Sequence, residues 1–175
     1  MRLIFLDIDG VIATDHTYRL WRGDNCPHTF AGHLGLIDSS ILASINAIAV
    51  KADAGIVVTS TWRDPAQNAG HSVDDILRAA GLTVPIIGHT PMIPKPTDMW
   101  SRLRHRGFEI NAYVVANQLP LDSFIVFDDD IGATGAPKDS PVRHGSRVIF
   151  TPESTGCGPG HLRRARKLFN LPSTP

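Results

Sequence analysis

The sequence is poor in cysteine and carries no net charge. Its two cysteines, Cys26 and Cys157, are too few for a disulfide framework and do not form a CxxC metal knuckle. We therefore expect both thiols to be reduced, as they are in a cytoplasmic protein. Seventeen acidic residues balance seventeen basic ones, so no net positive charge indicates nucleic-acid binding, although a local basic patch remains compatible with it.

Long apolar runs are also absent. No segment approaches the roughly 20 apolar residues that a helix needs to cross a bilayer, so we expect no membrane-spanning segment. The N-terminal run from Leu3 to Leu6 is too short for the core of a signal peptide and is followed by aspartates, which favours a strand. The 175 residues contain no repeat and are 42% hydrophobic, which predicts one domain over residues 1–175 with a core of its own.

Short apolar runs alternate with helical patterns along the chain. The runs are rich in Val, Ile and Phe, as strands buried on both faces of a sheet are; they read RLIFLD, GIVVTS, VPIIGH, SFIVFD and RVIFT. Helical periodicity predicts helices within residues 38–55, 72–81, 97–119 and 160–171. This alternation predicts a three-layer α/β fold, in which helices cover both faces of a mostly parallel sheet of about five strands.

Glycines and loops mark the limits of these elements. We expect Gly55 and Gly81 to end the first two helices, because glycine is common just past a helix end. Residues 11–37 and 131–146 form two long irregular connections that are rich in Gly and Pro. Loops of this length inside a compact domain are usually functional or mobile.

Acidic and hydroxyl side chains follow three of the predicted strands. The first strand is followed by Asp7 and Asp9, the second by Thr59, Ser60 and Thr61, and the fourth by Asp128, Asp129 and Asp130. In parallel sheets ligands bind at the carboxyl ends of the strands, so we expect these groups to converge. Converging carboxylates need a compensating cation, and Mg²⁺ suits such ligands; the hydroxyls would then bind an anion such as phosphate. Taken separately, DDD is also compatible with a solvated acidic turn, and DID with the end of an edge strand.

These motifs carry a family resemblance. FLDIDGV, VVTSTWR and FDDD, in this order, resemble the haloacid dehalogenase (HAD) superfamily of phosphohydrolases. RGFEINAYV before FIVFDDD, and TGCGPGHLRRARKLF near the end, resemble the HAD domain of Swiss-Army-Knife RNA repair proteins, which in turn resembles the phosphatase domain of polynucleotide kinase-phosphatase. The resemblance spans nearly the whole chain and implies a Rossmann-like, HAD-like fold.

The resemblance implies roles for the carboxylates. Asp7 is the expected nucleophile, which forms an aspartyl-phosphate, and Asp9 the general acid and then base, which fits the chemistry of two neighbouring carboxylates. Gly10 would supply a turn beside the bound substrate. Mg²⁺ would be held by Asp7, by the backbone carbonyl of Asp9 and by Asp128, with Asp129 as a direct or water-mediated ligand.

The remaining motifs leave alternatives open. Thr59 is the best match for the hydroxyl residue that holds phosphoryl oxygens, and Ser60 is the second choice. Arg63 resembles the arginine that follows this motif in related phosphatases, where it would clamp the phosphate; otherwise it is a surface arginine at a helix start. The cation that neutralises the nucleophile is Arg106 in RGFEI, or else Lys95 in PKP.

Several features are set aside as sites. TGCGPGH lacks the third glycine of a dinucleotide-binding loop, because His161 stands in its place. LRRARK is more simply a solvated helix face than a nucleic-acid contact. Asp130 has no role in this scheme, since two aspartates suffice. No histidines have metal-ligand spacing, and we expect most to lie at the surface or in loops; they include His16, His28, His33, His89 and His144.

The spacing of the motifs limits the substrate. Insertions between them are too short for a folded lid domain, so we expect a capless enzyme with a flap at about 11–37 as its only cover. Trp21, Arg22, His28 and Phe30 lie in this flap and either stack on a base or pack the flap down. An open site suits a bulky phosphate ester such as a nucleic-acid end, and equally permits a small nucleotide.

The predicted function is therefore a Mg²⁺-dependent phosphatase that acts on a nucleotide or nucleic-acid-end phosphate. A general small-molecule phosphomonoesterase is the alternative among enzymes. A non-catalytic phosphate-binding or regulatory module is the alternative from another class, and the intact pair of Asp7 and Asp9 disfavours it. The sequence leaves the oligomeric state open.

Overall fold

The computed structural model describes residues 1–21, 29–64, 70–94 and 105–172. Its five strands are β1 (Arg2–Leu6), β2 (Ala54–Val58), β3 (Ile86–His89), β4 (Phe124–Asp128) and β5 (Val148–Phe150). The α-helices of these ranges are α1 (Asp15–Leu20), α2 (Phe30–Leu36), α3 (Ser39–Ala52), α4 (Val73–Ala79), α5 (His105–Ala116) and α6 (Pro159–Leu168). Short 3₁₀ turns lie at Thr61–Arg63, Leu121–Ser123, Ile131–Thr134 and His144–Arg147. No helix within these ranges is both long and apolar enough to cross a membrane.

The strands form one parallel sheet in the order β3-β2-β1-β4-β5. Strand β1 therefore lies at the centre, where Leu6 pairs with Val58 of β2 and Phe127 of β4. Because the three central strands run in the same direction and end at the same level, the residues that follow them meet at one edge of the sheet. The predicted α/β architecture is confirmed.

Helices cover both faces of the sheet. On one face Ile4, Leu6 and Phe127 join a large core that includes side chains of α3, α4 and α6. On the other face Phe5 and Val57 belong to a smaller core with residues of α5. The side chains of each central strand alternate between the two cores, as expected for a strand buried on both faces.

Two expectations about individual elements were wrong. Helix α3 does not run to Gly55, which lies in β2; it ends at Ala52, and Asp53 closes it in a left-handed conformation with φ 50°. Strand β3 is not buried on both faces, because it is an edge strand and its Ile87 is 39% exposed. In contrast, Gly81 follows α4 with φ +106°, as expected of a glycine that ends a helix.

The segment 11–37 is more regular than expected, because α1 and α2 form within it. Trp21 and Phe30 pack against the larger core. For Trp21 and Phe30 the structure therefore favours packing of the flap over stacking on a base. Arg22 and His28 lie outside the described residues.

Candidate active site

The ends of the three central strands bring Asp7, Thr59 and Asp128 side by side. The backbone amide of Asp7 donates to the carbonyl of Phe127 at 3.0 Å, and the amide of Thr59 donates to the carbonyl of Leu6 at 2.9 Å. The parallel pairing thus continues one residue past β1 and β2, and Asp128 is the last residue of β4. All three residues are buried, with exposed fractions of 4%, 0% and 0%, although burial of charge is costly without a partner.

Three carboxylates form a cluster at this edge. Oxygen atoms of Asp7, Asp128 and Asp129 lie within 4.8 Å of one another. Burial and the facing Asp7 raise the pKa of Asp128 well above its ordinary value. The same two causes raise the pKa of Asp129 to about 6. Without a cation, the ionised form of these carboxylates is therefore energetically unfavourable.

Gly10 makes room for this cluster. It has φ +67°, and a Cβ atom at this position would lie 2.3 Å from Asp129 Oδ2. An alanine here would both strain the backbone and displace the carboxylate. The conformation of the loop after β1 and the position of Asp129 thus depend on each other.

The donor set of the cluster fits Mg²⁺. Asp128 Oδ1 accepts a hydrogen bond from the amide of Asp130 at 2.9 Å, but its Oδ2 is buried and has no hydrogen-bond partner among the described residues. Buried oxygen atoms left in this way are unusual, and hard divalent cations take carboxylate oxygens as ligands. The carboxylate of Asp9 is not part of the cluster.

Asp9 is held apart from the cluster by two aromatic side chains. The hydroxyl of Tyr18, on α1, donates to Oδ1 at 2.9 Å, and the indole Nε1–H of Trp62 lies 3.2 and 3.0 Å from the two carboxylate oxygens. Burial and the charge of Asp7 raise the pKa of Asp9 to about 6, against the effect of these hydrogen bonds. A carboxyl group with such a pKa can both donate and accept a proton near neutral pH.

The two candidate hydroxyls after β2 differ in their partners. The hydroxyl of Ser60 accepts the amide of Trp62 at 3.3 Å and so begins the 3₁₀ turn at Thr61–Arg63. Thr59 Oγ1 is buried with no hydrogen-bond partner among the described residues. The free hydroxyl is therefore the one that the sequence favoured.

Arg106 projects from α5 toward the cluster. Its guanidinium lies 3.6 Å from Asp7 Oδ2, 3.6 Å from Asp128 Oδ2 and 3.5 Å from Glu109 Oε2. Burial works against its charge, but these carboxylates prevail and raise the pKa of Arg106 above its ordinary value. Helix α5 can pack closely against the backbone at Gly135 because Gly107 has no side chain. A Cβ atom there would lie 2.3 Å from the carbonyl oxygen of Gly135.

Arg63 lies inside the site rather than at the surface, so the alternative of a surface arginine is wrong. Its side chain is 4% exposed and pairs with Glu109 Oε2 at 2.5 Å. It also donates to the carbonyls of Thr59 and Ser60. Lys95, the alternative to Arg106, lies outside the described residues.

A cavity of about 320 Å³ opens beside the two arginines. Its walls include Thr61, Arg63, Met92, Ile93, Arg106 and Glu109. Asp130 also borders it, and its Oδ1 accepts the amide of Gly132 at 2.7 Å, which begins the turn at Ile131–Thr134. Asp130 thus has a structural role that the sequence did not predict.

A family model described as the HAD domain in Swiss Army Knife RNA repair proteins matches residues 3–157. The chain belongs to this family. HAD domains are generally phosphohydrolases, which agrees with a site of buried carboxylates facing an arginine. No curated protein and no solved structure matches the chain significantly.

Three residues around the site of this HAD domain were missed in the sequence. Tyr18 and Trp62 bind Asp9, and Glu109 binds Arg63. Trp62 and Glu109 stand within the quoted strings TSTWR and RGFEI, close to the assigned Arg63 and Arg106, and this position was their signal. Tyr18, on α1, stands in none of the quoted motifs.

Most histidines among the described residues are exposed or half-buried, as expected, but two are not. His33 and His144 are buried, with exposed fractions of 4% and 0%, whereas His16 is exposed as expected. The ring of His33 lies 4.5 Å from that of Trp62, and His144 bonds to the backbone of the turn at Ile131–Thr134. Both contribute to packing.

Proposed function

We propose that this HAD domain is a Mg²⁺-dependent phosphatase that hydrolyses phosphomonoesters through an aspartyl-phosphate on Asp7. The observation that carries the proposal is the division between the carboxylates: Asp7, Asp128 and Asp129 are clustered, while Asp9 is held apart by Tyr18 and Trp62. Covalent phosphoryl transfer to a carboxylate needs both a nucleophile and a separate proton donor.

Asp7, Asp128 and Asp129 would hold the metal, together with the backbone carbonyl of Asp9. A bound Mg²⁺ would supply positive charge that offsets the repulsion between the carboxylates and the anionic substrate. The Oδ2 of Asp128, which is buried and has no hydrogen-bond partner among the described residues, supports this assignment, and so does the space that Gly10 leaves for Asp129.

In the first step an oxygen of Asp7 attacks phosphorus and forms a P–O bond, while the bond from phosphorus to the ester oxygen breaks. Asp9 transfers its proton to the departing oxygen, which leaves as an alcohol. Arg106 and the hydroxyl of Thr59 donate hydrogen bonds to the phosphoryl oxygens. These donors stabilise the charge of the transferring group.

In the second step water attacks the phosphorus of the aspartyl-phosphate. Asp9, now ionised, accepts the proton of the water, and the bond from phosphorus to Asp7 breaks. Inorganic phosphate leaves, and both carboxyl groups return to their starting protonation states. The pKa of Asp9, about 6, suits both directions of transfer.

The substrate is best taken as a nucleotide or a nucleic-acid-end phosphate. The RNA repair proteins in the name of the family support this choice. The described part of segment 11–37 also packs on the core through α2, Trp21 and Phe30, which favours a capless site that admits a bulky ester. Residues 1–175 would form a single domain of this kind, in the cytoplasm.

Phosphate release from a panel of substrates tests the proposal. The panel contains p-nitrophenyl phosphate, nucleoside monophosphates and oligonucleotides phosphorylated at the 3′ or 5′ end, each with Mg²⁺ or with EDTA. We expect Mg²⁺-dependent release, a preference for nucleotide or oligonucleotide substrates, and a loss of about 10³-fold or more in Asp7→Asn. Release that is equal in Asp7→Asn, or absent from every substrate, would contradict an enzymatic role.

A further inference from the structure

Glu109 is a buried carboxylate at the meeting point of the two site arginines. It is 3% exposed and lies on α5, one turn after Arg106. Its Oε2 pairs with Arg63 at 2.5 Å and lies 3.5 Å from Arg106. Its Oε1 lies 3.8 Å from His105 Nδ1 and accepts the amide of Ile93 at 3.4 Å. One carboxylate therefore contacts two guanidinium groups and a backbone amide.

The first guanidinium, that of Arg63, makes close hydrogen bonds to groups of the protein. Besides Glu109 it bonds to the backbone carbonyls of Thr59 and Ser60. Arg63 therefore ties the end of β2, which carries the unpartnered hydroxyl of Thr59, to Glu109 on α5. A planar guanidinium with several donors holds such partners in a fixed geometry.

The second guanidinium, that of Arg106, lies farther from the carboxylates around it. It lies 3.5 to 3.6 Å from the carboxylates of Asp7, Asp128 and Glu109, longer than a strong charge-assisted hydrogen bond. Glu109 lies three residues after Arg106 on the same helix. It faces Nη1 of the guanidinium, whereas Asp7 faces Nη2 and Asp128 faces Nε. Its attraction opposes the movement of Arg106 into close pairing with Asp7, so the arginine keeps donors for another acceptor.

We propose that Glu109 is a positioning residue. It holds the strand end at Thr59 and the guanidinium of Arg106 in positions from which both can bind the same phosphoryl group. This inference rests on the proposed function. Without the charge of Glu109, Arg63 loses its carboxylate partner and Arg106 is drawn to Asp7 and Asp128. The nucleophile is then partly neutralised, and the two phosphate donors are no longer held by a common group.

The test compares Glu109→Gln with the wild type and with Asp139→Asn. Asp139 is exposed and does not line the cavity beside the two arginines, so its variant is a control for loss of one negative charge. Glu109→Asp keeps the charge with a shorter side chain and serves if Glu109→Gln fails to fold. Thermal melting first establishes that each variant is folded.

Two measurements are made on each folded variant: the affinity for inorganic phosphate in the presence of Mg²⁺, by calorimetry, and kcat and KM for p-nitrophenyl phosphate. We expect Glu109→Gln to lose about 10- to 100-fold in phosphate affinity and in kcat, the range typical of residues that support a site from behind it. Glu109→Asp should lose less than Glu109→Gln, and Asp139→Asn should match the wild type.

The outcomes separate this inference from the proposed function. If the wild type hydrolyses no substrate, the proposed function fails, and the phosphate affinities alone decide the role of Glu109. If Glu109→Gln, or Glu109→Asp where only that variant folds, binds phosphate and turns over like Asp139→Asn, the positioning role is wrong. A wild type that binds no phosphate would overturn it as well.

Discussion

Helix α5 takes part in two buried polar clusters that are satisfied to different degrees. At the strand-end site, Asp128 Oδ2 and Thr59 Oγ1 are buried without hydrogen-bond partners among the described residues. In the other cluster, the His144 network of His144, Asn111 and Ser140, each side chain is bonded. His144 Nε2 donates to the carbonyl of Ala133 at 2.8 Å, and Ser140 donates to Asn111 Oδ1 at 2.7 Å.

This difference separates a site for a ligand from a structural support. Buried polar groups normally find partners within the protein, because an unpaired group costs free energy. The His144 network follows this rule and fixes the segment that follows β4 against α5. The strand-end site departs from it, which is expected where part of the binding partner is a ligand.

The largest effect should come from removing a charge at the strand-end site. Asp128→Asn is expected to lower phosphatase activity by about 10³-fold or more, since the metal loses a ligand. It should also raise the melting temperature in EDTA, because the raised pKa of Asp128 means that its charge is unfavourable in the folded protein. Activity assays and thermal melts measure the two effects.

Asp139→Asn, at an exposed aspartate, is the matched control and should change neither quantity. A fall in the melting temperature of Asp128→Asn would show that its charge is already compensated in the metal-free protein. In that case the contrast between the two clusters would not hold.

The next effect concerns the His144 network. His144→Ala should lower the free energy of unfolding by about 3 kcal/mol, because it removes a buried ring together with its hydrogen bonds to the carbonyl of Ala133 and to Asn111. Urea unfolding measures the loss. His16→Ala, at an exposed histidine, should have little effect, and an equal loss in both variants would contradict a structural role of the network.

The smallest effect is a pH dependence of the same network. Burial lowers the pKa of His144, so below about pH 6.5 the unfolded chain binds a proton that the folded protein does not. The stability contributed by His144 is therefore present above the unfolded pKa and is lost as the pH falls. The advantage of the wild type over His144→Ala should shrink by about 1 kcal/mol between pH 7.5 and pH 5.5.

Urea unfolding of both proteins across this range measures the change. The pKa values of Asp9 and Asp129, about 6 in each case, act in the opposite direction, because these groups hold protons that the unfolded chain has released. They are present in both proteins and cancel in the difference. A difference that stays constant with pH would mean that the pKa of His144 is the same in the folded protein and in the unfolded chain.

The fold was predictable because the apolar runs and helical periods are local signals. The five strand segments and the helices within residues 38–55 and 72–81 were found where hydrophobic spacing placed them. The end of α3 was not predicted, because Asp53 adopts a left-handed conformation that its residue type does not indicate. Neither short helix has a strong hydrophobic pattern of its own: α2 packs on the core through Phe30 and Leu36, and α1 begins at a capping box formed by Thr14 and Thr17.

The sequence by itself determined where the carboxylates and hydroxyls lie along the chain. Asp7, Thr59 and Asp128 directly follow apolar runs, and the parallel order of a βαβ chain brings such ends together. Only the tertiary structure decided which groups are paired. Tyr18 and Trp62 reach Asp9, and Glu109 pairs with Arg63, although no local pattern in the sequence encodes these contacts. Hydrogen bonds and ion pairs form between groups that packing brings within about 3 to 4 Å of one another, and that proximity exists only in the folded chain.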